Sequence, residues 1–328
     1  MSRRRWLART RDRDITPESA YTTRRDLLVA MAGAGLLPAA AALGLTGCQT
    51  PGTSRPDRRG TDAPRSGPRL FRAPTGTYPA ERNQRYRVDR ALTAEQTATT
   101  YNNFYEFTTD KTDVHRRVGA FQTAPWQIEI AGLVERPGLV DLEDLFDHLP
   151  SEERVYRFRC VEAWAMTVPW TGFPMAKLLE WVRPLPAARF VRLESYFDRE
   201  QMPGRGYDFP YYEALTLAEA AHELTLLAHG IYGRELPRQN GAPLRLVTPW
   251  KYGLKNLKSI ARIELTAARP ATFWSDLAPK EYSWHSNVEP DVPHPRWSQA
   301  TERLIPNGER VATLPYNGYA DLVADLYG

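Results

Sequence analysis

The chain has 328 residues, with 43 Lys and Arg against 39 Asp and Glu, a net charge of +4 and two cysteines. Residues 1–72 carry +8 and the remainder −4, so the basic balance belongs to the N-terminal region. The body therefore has no electrostatic footprint for nucleic acid, and its single thiol, Cys160, has no partner within it for a disulfide.

The first signal in chain order is a leader. Arg24 and Arg25 precede a weakly apolar stretch that carries Gly33, Gly35 and Pro38, a poor permanent membrane helix. The adjacent arginines predict twin-arginine export, a route for proteins that leave the cytoplasm already folded, although Leu27 stands where such signals usually have Phe. An ordinary secretory signal is the alternative, and either one places the mature protein outside the cytoplasm. Leu45-Thr46-Gly47-Cys48 resembles a lipobox, which would tether the chain by a lipid on Cys48; cleavage near Ala39–Ala42 leaves a soluble protein instead. The expected organisation is an export signal over 1–47, a flexible linker rich in Pro, Gly, Thr and Arg over 48–80, and one domain over 81–328.

Within the body, strands are predicted at Trp126–Val134, Val155–Val161, Phe190–Tyr196, Leu224–His229, Pro243–Thr248 and Ser259–Thr266 from β-branched and aromatic runs. Helices are predicted at Leu142–Leu149 after Asp141, at Met175–Val182 before Pro184, and at Leu217–Glu223, where Thr216 and Glu219 form a capping box. Strand and helix do not alternate as a doubly wound sheet requires, and no glycine-rich nucleotide loop follows a strand. The expected class is α+β.

The period-two pattern of Val155–Cys160 turns Tyr156, Phe158 and Cys160 to one face and Arg157 and Arg159 to the other, so Cys160 points inward at a strand end. A small core residue is the plain reading of such a cysteine; a soft metal held by its thiolate is the other. The six body histidines are scattered without zinc spacing. A thiol enzyme would need a histidine brought from elsewhere in the chain. Three further segments bear groups suited to a large anion: Tyr101–Phe107, Pro237–Arg245 and Trp250–Lys258, the last with three lysines around Gly253. A solvated basic loop is the alternative for the last.

In the order Asn-Asn-Phe-Tyr-Glu-Phe, Arg-Cys-Val-Glu-Ala-Trp, Val-Pro-Trp-x-Gly-Phe-Pro, Gln-Asn-Gly-Ala-Pro-x-Arg and Pro-Trp-Lys-Tyr-Gly, residues 101–266 resemble the molybdenum enzymes of sulfite-oxidase fold, and among them the branch that reduces methionine sulfoxide in envelope proteins. The resemblance implies a mixed-sheet molybdopterin-binding catalytic domain, Cys160 as thiolate ligand of one molybdenum, and Asn102, Tyr105, Glu106, Ser195, Asn240, Arg245, Asn256, Leu257 and Lys258 around the pterin and its phosphate. Ser195 replaces a usual Thr and Asn256 a usual Gly, so the second contact would have to run through the backbone. Glu162 would flank the metal and govern proton delivery, with a surface glutamate the alternative. Implied partners are a haem-bearing inner-membrane electron donor and oxidised periplasmic proteins as substrates. Sulfite oxidation on the same fold and a non-catalytic envelope lipoprotein are the competing readings; the 62 residues after Thr266 are too few for the dimerisation domain that sulfite-oxidising enzymes usually append.

Overall fold

The computed structural model describes residues 69–328; the export signal, Cys48 and the linker as far as residue 68 lie outside the described residues. In chain order the strands are β1 (Gln127–Gly132), β2 (Gly138–Asp141), β3 (Glu152–Arg159), β4 (Trp164–Pro174), β5 (Phe190–Ser195) and β6 (Tyr212–Thr216). They continue as β7 (Leu226–Ile231), β8 (Arg234–Glu235), β9 (Arg245–Val247), β10 (Ile260–Thr266), β11 (Thr301–Leu304) and β12 (Arg310–Ala312). The helices used below are α1 (Glu95–Thr100), α2 (Val114–Arg117), α3 (Leu142–His148), α4 (Met175–Val182) and α5 (Leu217–Ala221).

The strands form two sheets, in the orders β2-β1-β10-β5-β6 and β12-β11-β4-β7-β8, with β3 added to β4 and β9 to β7. One pair in each sheet is parallel, β1 with β10 and β11 with β4, so both sheets are mixed. This is the expected α+β architecture, and all six predicted strands and three predicted helices are present.

The longest strand, β4, has no counterpart in the prediction. Its sequence WAMTVPWTGFP contains two prolines and a glycine, which ordinarily argue against an interior strand. Tertiary contacts override that signal. β3 pairs with β4 from Ala165 to Gly172, while β11 takes its first residues and β7 its last. Between these, Thr93 hydrogen-bonds both backbone groups of Thr167, through its own N–H at 2.9 Å and its hydroxyl at 3.0 Å. Gly172 is required there, because a Cβ would lie 2.4 Å from the Leu227 carbonyl oxygen of β7.

Helix α4 buries Met175, Leu178, Leu179 and Val182, an i, i+3, i+4, i+7 stripe, and stops at Arg183 with φ +57° immediately before Pro184. Every residue of β7 is buried because both its faces are covered. Leu227 belongs to one apolar cluster with β1, β5 and α4, while Leu226, Ala228 and Ile231 belong to the other with β4.

Residues 69–80 were expected in the flexible linker on composition, but in the structure they lie against the domain. Phe71 is buried in the first cluster, its N–H donates to Thr123 Oγ1 at 2.9 Å, and the Tyr78 hydroxyl donates to the His229 carbonyl at 2.7 Å. Two aromatic anchors outweigh a composition that otherwise reads as tether.

Three lysines around Gly253 were expected to form one anion site or a solvated loop; the structure corrects both readings. Lys251 forms a buried ion pair with Glu219 at 2.5 Å and Lys255 another with Glu213 at 2.6 Å, leaving Lys258 alone to reach the segment beside Cys160, where it donates to the Asn103 carbonyl. Glu219 is the wider junction. It completes the α5 capping box through Thr216, and it also accepts hydrogen bonds from the Tyr327 hydroxyl at 2.7 Å and from His285 at 3.2 Å. Burial opposes its ionisation, yet the donors from His285, Lys251 and Tyr327 hold it well below the usual carboxylate range. Glu219→Ala should therefore cost about 3–5 kcal/mol, the penalty for stranding a buried ammonium, whereas Tyr327→Phe should cost about 1 kcal/mol. Denaturant midpoints at unchanged slope check both values.

Candidate functional site

Cys160 lies one residue beyond β3, in the turn that leads into β4. The turn is closed by Cys160 N–H to the Trp164 carbonyl at 2.9 Å and by Ala163 N–H to the Cys160 carbonyl at 3.0 Å. Ala163 sits at φ +65°, in the left-handed region that a non-glycine residue enters only at a cost. Cys160 is 5 % exposed and faces inward, as the strand pattern predicts.

The opposite face of β3 is buried too, and there the expectation of a simple inside and outside fails. Arg159 is fully buried, donates to the Cys160 carbonyl, pairs with Glu302 at 3.1 Å and bonds Gln299 at 2.8 Å. Trp297 Nε1 and Gln299 Nε2 both donate to the Val161 carbonyl, at 2.9 and 2.8 Å. The segment after Ala267, to which the sequence alone gave no chemistry, thus grips the carbonyls of the cysteine turn from behind.

Glu162 is not a surface residue. Its carboxylate accepts from Asn103 Nδ2 and Trp164 Nε1, both at 3.1 Å, and pairs with Lys111 Nζ at 3.2 Å. Around the Cys160 sulfur lie Glu162 N–H at 3.5 Å, Asn103 Nδ2 at 3.7 Å and Glu162 Oε2 at 3.8 Å. Burial and the adjacent Glu162 carboxylate push the thiol up to about 12, against the opposing pull of Glu162 N–H, Lys111 and Arg159. These partners include no histidine base, so nucleophilic thiol catalysis has no support in the geometry.

Beside the thiol the resemblance-derived residues form a cradle. Helix α1 runs into Asn102, whose side-chain N and O are buried without a partner; the Oδ1 atoms of Asn103 and Asn240 are in the same condition. Asn240 is oriented by its Nδ2, which donates to Ala98 O of α1 at 2.9 Å. Arg245 is buried on β9, donates to the carbonyls of Asn240 and Asn256 at 2.7 and 3.2 Å, and lies over the Trp170 ring at 4.7 Å. Lys258 donates to the Asn103 carbonyl, and its stem packs on Gly241, where a Cβ would come within 2.7 Å. Burial pushes Arg245 down to about 9; burial together with the neighbouring Arg245 pushes Lys258 down to about 7.

Neither cation has a carboxylate within ion-pair distance among the described residues. Glu106 is the nearest acid to Lys258, but burial raises it to about 7, against Lys258 and the Ser195 hydroxyl that donates to it at 3.3 Å. One buried guanidinium, one half-buried ammonium and four unanswered amide atoms beside one inward thiol fit an anionic cofactor rich in acceptors and donors. No group of three or more His, Cys, Asp or Glu side chains able to hold a metal exists among the described residues, so Cys160 could be only one ligand of several. The donor set fits a molybdopterin, whose dithiolene would supply the others.

Two of the implied residues sit differently. The Asn256 side chain accepts from Thr248 N–H at 2.5 Å, so only its backbone, whose carbonyl already holds Arg245, borders the cradle. Leu257 packs in the apolar core, with its N–H on the Lys255 carbonyl and its own carbonyl on Leu246 N–H. Tyr105 is half-buried, two residues after the Asn103 whose Nδ2 lies 3.7 Å from the Cys160 sulfur, and its hydroxyl is raised well above 10 by burial, with Glu162, Tyr207 and Cys160 adding to the effect. Gly204 lets the following loop approach this segment: its N–H donates to the Glu106 carbonyl at 2.7 Å, and a Cβ would fall 2.2 Å from Tyr105 O.

Lys111, Asn103 and Arg159 escape the sequence reading. Asn102 N–H bonds the Lys111 carbonyl at 3.1 Å and so folds that lysine back onto Glu162, a return that no local pattern announces. Asn103 lies within the Tyr101–Phe107 segment, next to Asn102, and that position is its one local signal.

A family model described as oxidoreductase molybdopterin binding domain matches residues 115–274. The protein-methionine-sulfoxide reductase catalytic subunit MsrP of Xanthomonas axonopodis pv. citri is 45 % identical over 96 % of this chain and 94 % of its own length. The protein of the same name from Xanthomonas campestris pv. campestris is 44 % identical over 97 % of this chain and 95 % of its own. A crystal structure of the sulfane dehydrogenase SoxCD from Paracoccus pantotrophus is similar over 68 % of this chain and 60 % of that one, at TM-score 0.41 and 16 % identity.

If Lys258 is held for an anion, Lys258→Met should leave the cofactor-free chain at least as stable, to within about 1 kcal/mol, because it removes a half-buried charge that no carboxylate pairs. Retention of the pterin should fall about 10–100-fold, the worth of one charge-assisted hydrogen bond. Melting curves of the cofactor-free chain and pterin fluorescence after acid release check the two halves.

Proposed function

We infer the function from one premise: this chain belongs to the family of protein-methionine-sulfoxide reductase catalytic subunits MsrP. It is a molybdopterin oxidoreductase, and its reaction is the reduction of methionine sulfoxide in proteins. The observation that carries the site assignment is the lone buried thiol of Cys160 at the edge of a cradle whose two cations, Arg245 and Lys258, face no carboxylate.

In this reading Cys160 is the protein's ligand to molybdenum. Asn102, Asn240, Arg245 and Lys258 hold the pterin and its phosphate, with Glu106 and Ser195 shaping the wall and Asn256 contributing backbone only. When bound, the cofactor supplies oxygen-atom transfer. The reaction as a whole takes up two electrons and two protons as sulfoxide becomes thioether and water. Glu162 stands at hydrogen-bonding range of the groups around Cys160 and carries protons to the departing oxygen, while Lys111 and Trp164 fix its carboxylate. The Tyr105 hydroxyl, kept protonated by burial, is a donor toward the same space.

The relatives are named catalytic subunits, which implies a partner subunit. We take that partner to be a haem-bearing inner-membrane donor that supplies the electrons, and the compartment to be the periplasm, reached by twin-arginine export, with oxidised envelope proteins as substrates. We take an export signal and linker to precede the catalytic domain, and the packing of Phe71 and Tyr78 supports drawing its start before the expected residue 81.

Cys160→Ser should abolish molybdenum binding, from about one metal per chain to none, with the melting point of the cofactor-free chain little changed; elemental analysis decides. Glu162→Gln should retain molybdenum, lower turnover by about 100-fold and alter its pH profile. A full metal complement with unchanged kinetics at every pH would remove Glu162 from proton transfer. Wild-type protein that oxidises sulfite but reduces no sulfoxide would overturn the functional reading.

A further inference from the structure

The reacting side chain of a protein substrate arrives with its neighbours, and these must lie on whatever surface adjoins the Cys160 site. That surface is aromatic on one side. Tyr105, two residues after the Asn103 that contacts the Cys160 sulfur at 3.7 Å, meets Tyr207 and Trp274 with ring centroids 5.5 and 5.6 Å apart. Tyr207 in turn lies 6.1 Å from Phe209, which stacks on Phe273 at 10° and meets Phe197 at 4.9 Å. Phe273 and Trp274 are buried and fix the base, whereas Tyr105, Phe197, Tyr207 and Phe209 pack on the same cluster but are only half-buried.

The loop that carries this shelf is anchored to the cradle itself. Its start is fixed by the Gly204 N–H bond to the Glu106 carbonyl, so Tyr207 and Phe209 are displayed next to the segment that bears Tyr105. The residues between them and around them, Arg205, Gly206, Asp208 and Pro210, are exposed and present opposite charges with no dominant sign. Such a surface selects for apolar contact rather than for charge. Half-exposed rings accept many apolar side chains, and they attract the thioether sulfur of methionine at ring edges.

We propose, on the functional reading above, that Tyr207 and Phe209 are specificity-determining residues: with Tyr105 they form an aromatic shelf that receives the apolar residues flanking methionine sulfoxide in extended, unfolded polypeptides. A folded protein presents a convex, polar surface that cannot lie along this shelf, and a free sulfoxide has no flanking residues to place on it. The shelf therefore acts on KM for unfolded protein substrates and not on the chemical step.

The test uses molybdenum-loaded full chain, wild type against Tyr207→Ser and Phe209→Ala, each first shown to match wild type in molybdenum content and melting point. If one variant fails that check, the other carries the test. Substrates are an oxidised unfolded protein and free methionine sulfoxide; a fluorescent unstructured peptide with a central methionine sulfoxide between leucines gives direct binding by anisotropy. The expected result is KM for the unfolded protein and Kd for the peptide raised about tenfold, the worth of one well-placed aromatic contact, with kcat on both substrates and KM for free methionine sulfoxide within twofold of wild type. Variants that bind the peptide and reduce the unfolded protein as wild type does would overturn the shelf while leaving the functional reading intact, as would equal losses on both substrates. Wild-type enzyme that reduces no sulfoxide at all would overturn the functional reading, and this inference with it.

Discussion

A buried guanidinium and a half-buried ammonium, Arg245 and Lys258, border one cradle with no carboxylate at ion-pair distance among the described residues. Charges in that condition are destabilising unless something anionic joins them. The structure around them tolerates the condition by giving each cation carbonyl oxygens and an aromatic face, Trp170 for Arg245 and Phe104 for Lys258. Those partners orient the two side chains but leave their charge unanswered. The cradle is consequently fixed in shape, and the side-chain amide atoms of Asn102, Asn103 and Asn240 that are buried around it have no partner either. The buried pairs Lys251–Glu219 and Lys255–Glu213 nearby, each matched within the protein, contrast with Lys258, which has no carboxylate at ion-pair distance among the described residues.

The cysteine turn is organised by a different force. Its carbonyls are held from one side by Arg159, Trp297 and Gln299, and its carboxylate, Glu162, from the other by Lys111, Asn103 and Trp164. Both sets bind groups adjacent to the sulfur, so the thiol is positioned by its neighbours and remains accessible to a metal. The left-handed Ala163 is tolerated because those hydrogen bonds leave the turn no other shape.

Much of this was legible in the sequence, and the parts that were not share a cause. Met175–Val182 could be read to the residue because its apolar spacing, its flanking proline and its burial agree. The thiol's inward direction followed from strand alternation, and the cradle from an ordered set of motifs that resembles a known family. β4 was missed because Pro169, Gly172 and Pro174 speak against a strand locally, while three neighbouring strands and Thr93 impose one. Lys251 and Lys255 looked available because their acids, Glu219 and Glu213, come from distant elements. Residues 69–80 looked like tether because two aromatic anchors weigh little in a composition. In each case the deciding contact spans tens of residues, beyond the reach of any local pattern.

The grip of the C-terminal segment on the cysteine turn also sets an order of events. Glu302, Gln299, Trp297 and Thr313 leave the ribosome well after Cys160, yet Arg159 and the Val161 carbonyl depend on them. During synthesis, Cys160 therefore passes through a long interval in which the strand exists but its turn is unsecured. Cys160 takes its final geometry only when the chain is nearly complete, so a prematurely terminated protein is left with a thiol and no secured turn, and loading of the cofactor falls naturally at the end of folding.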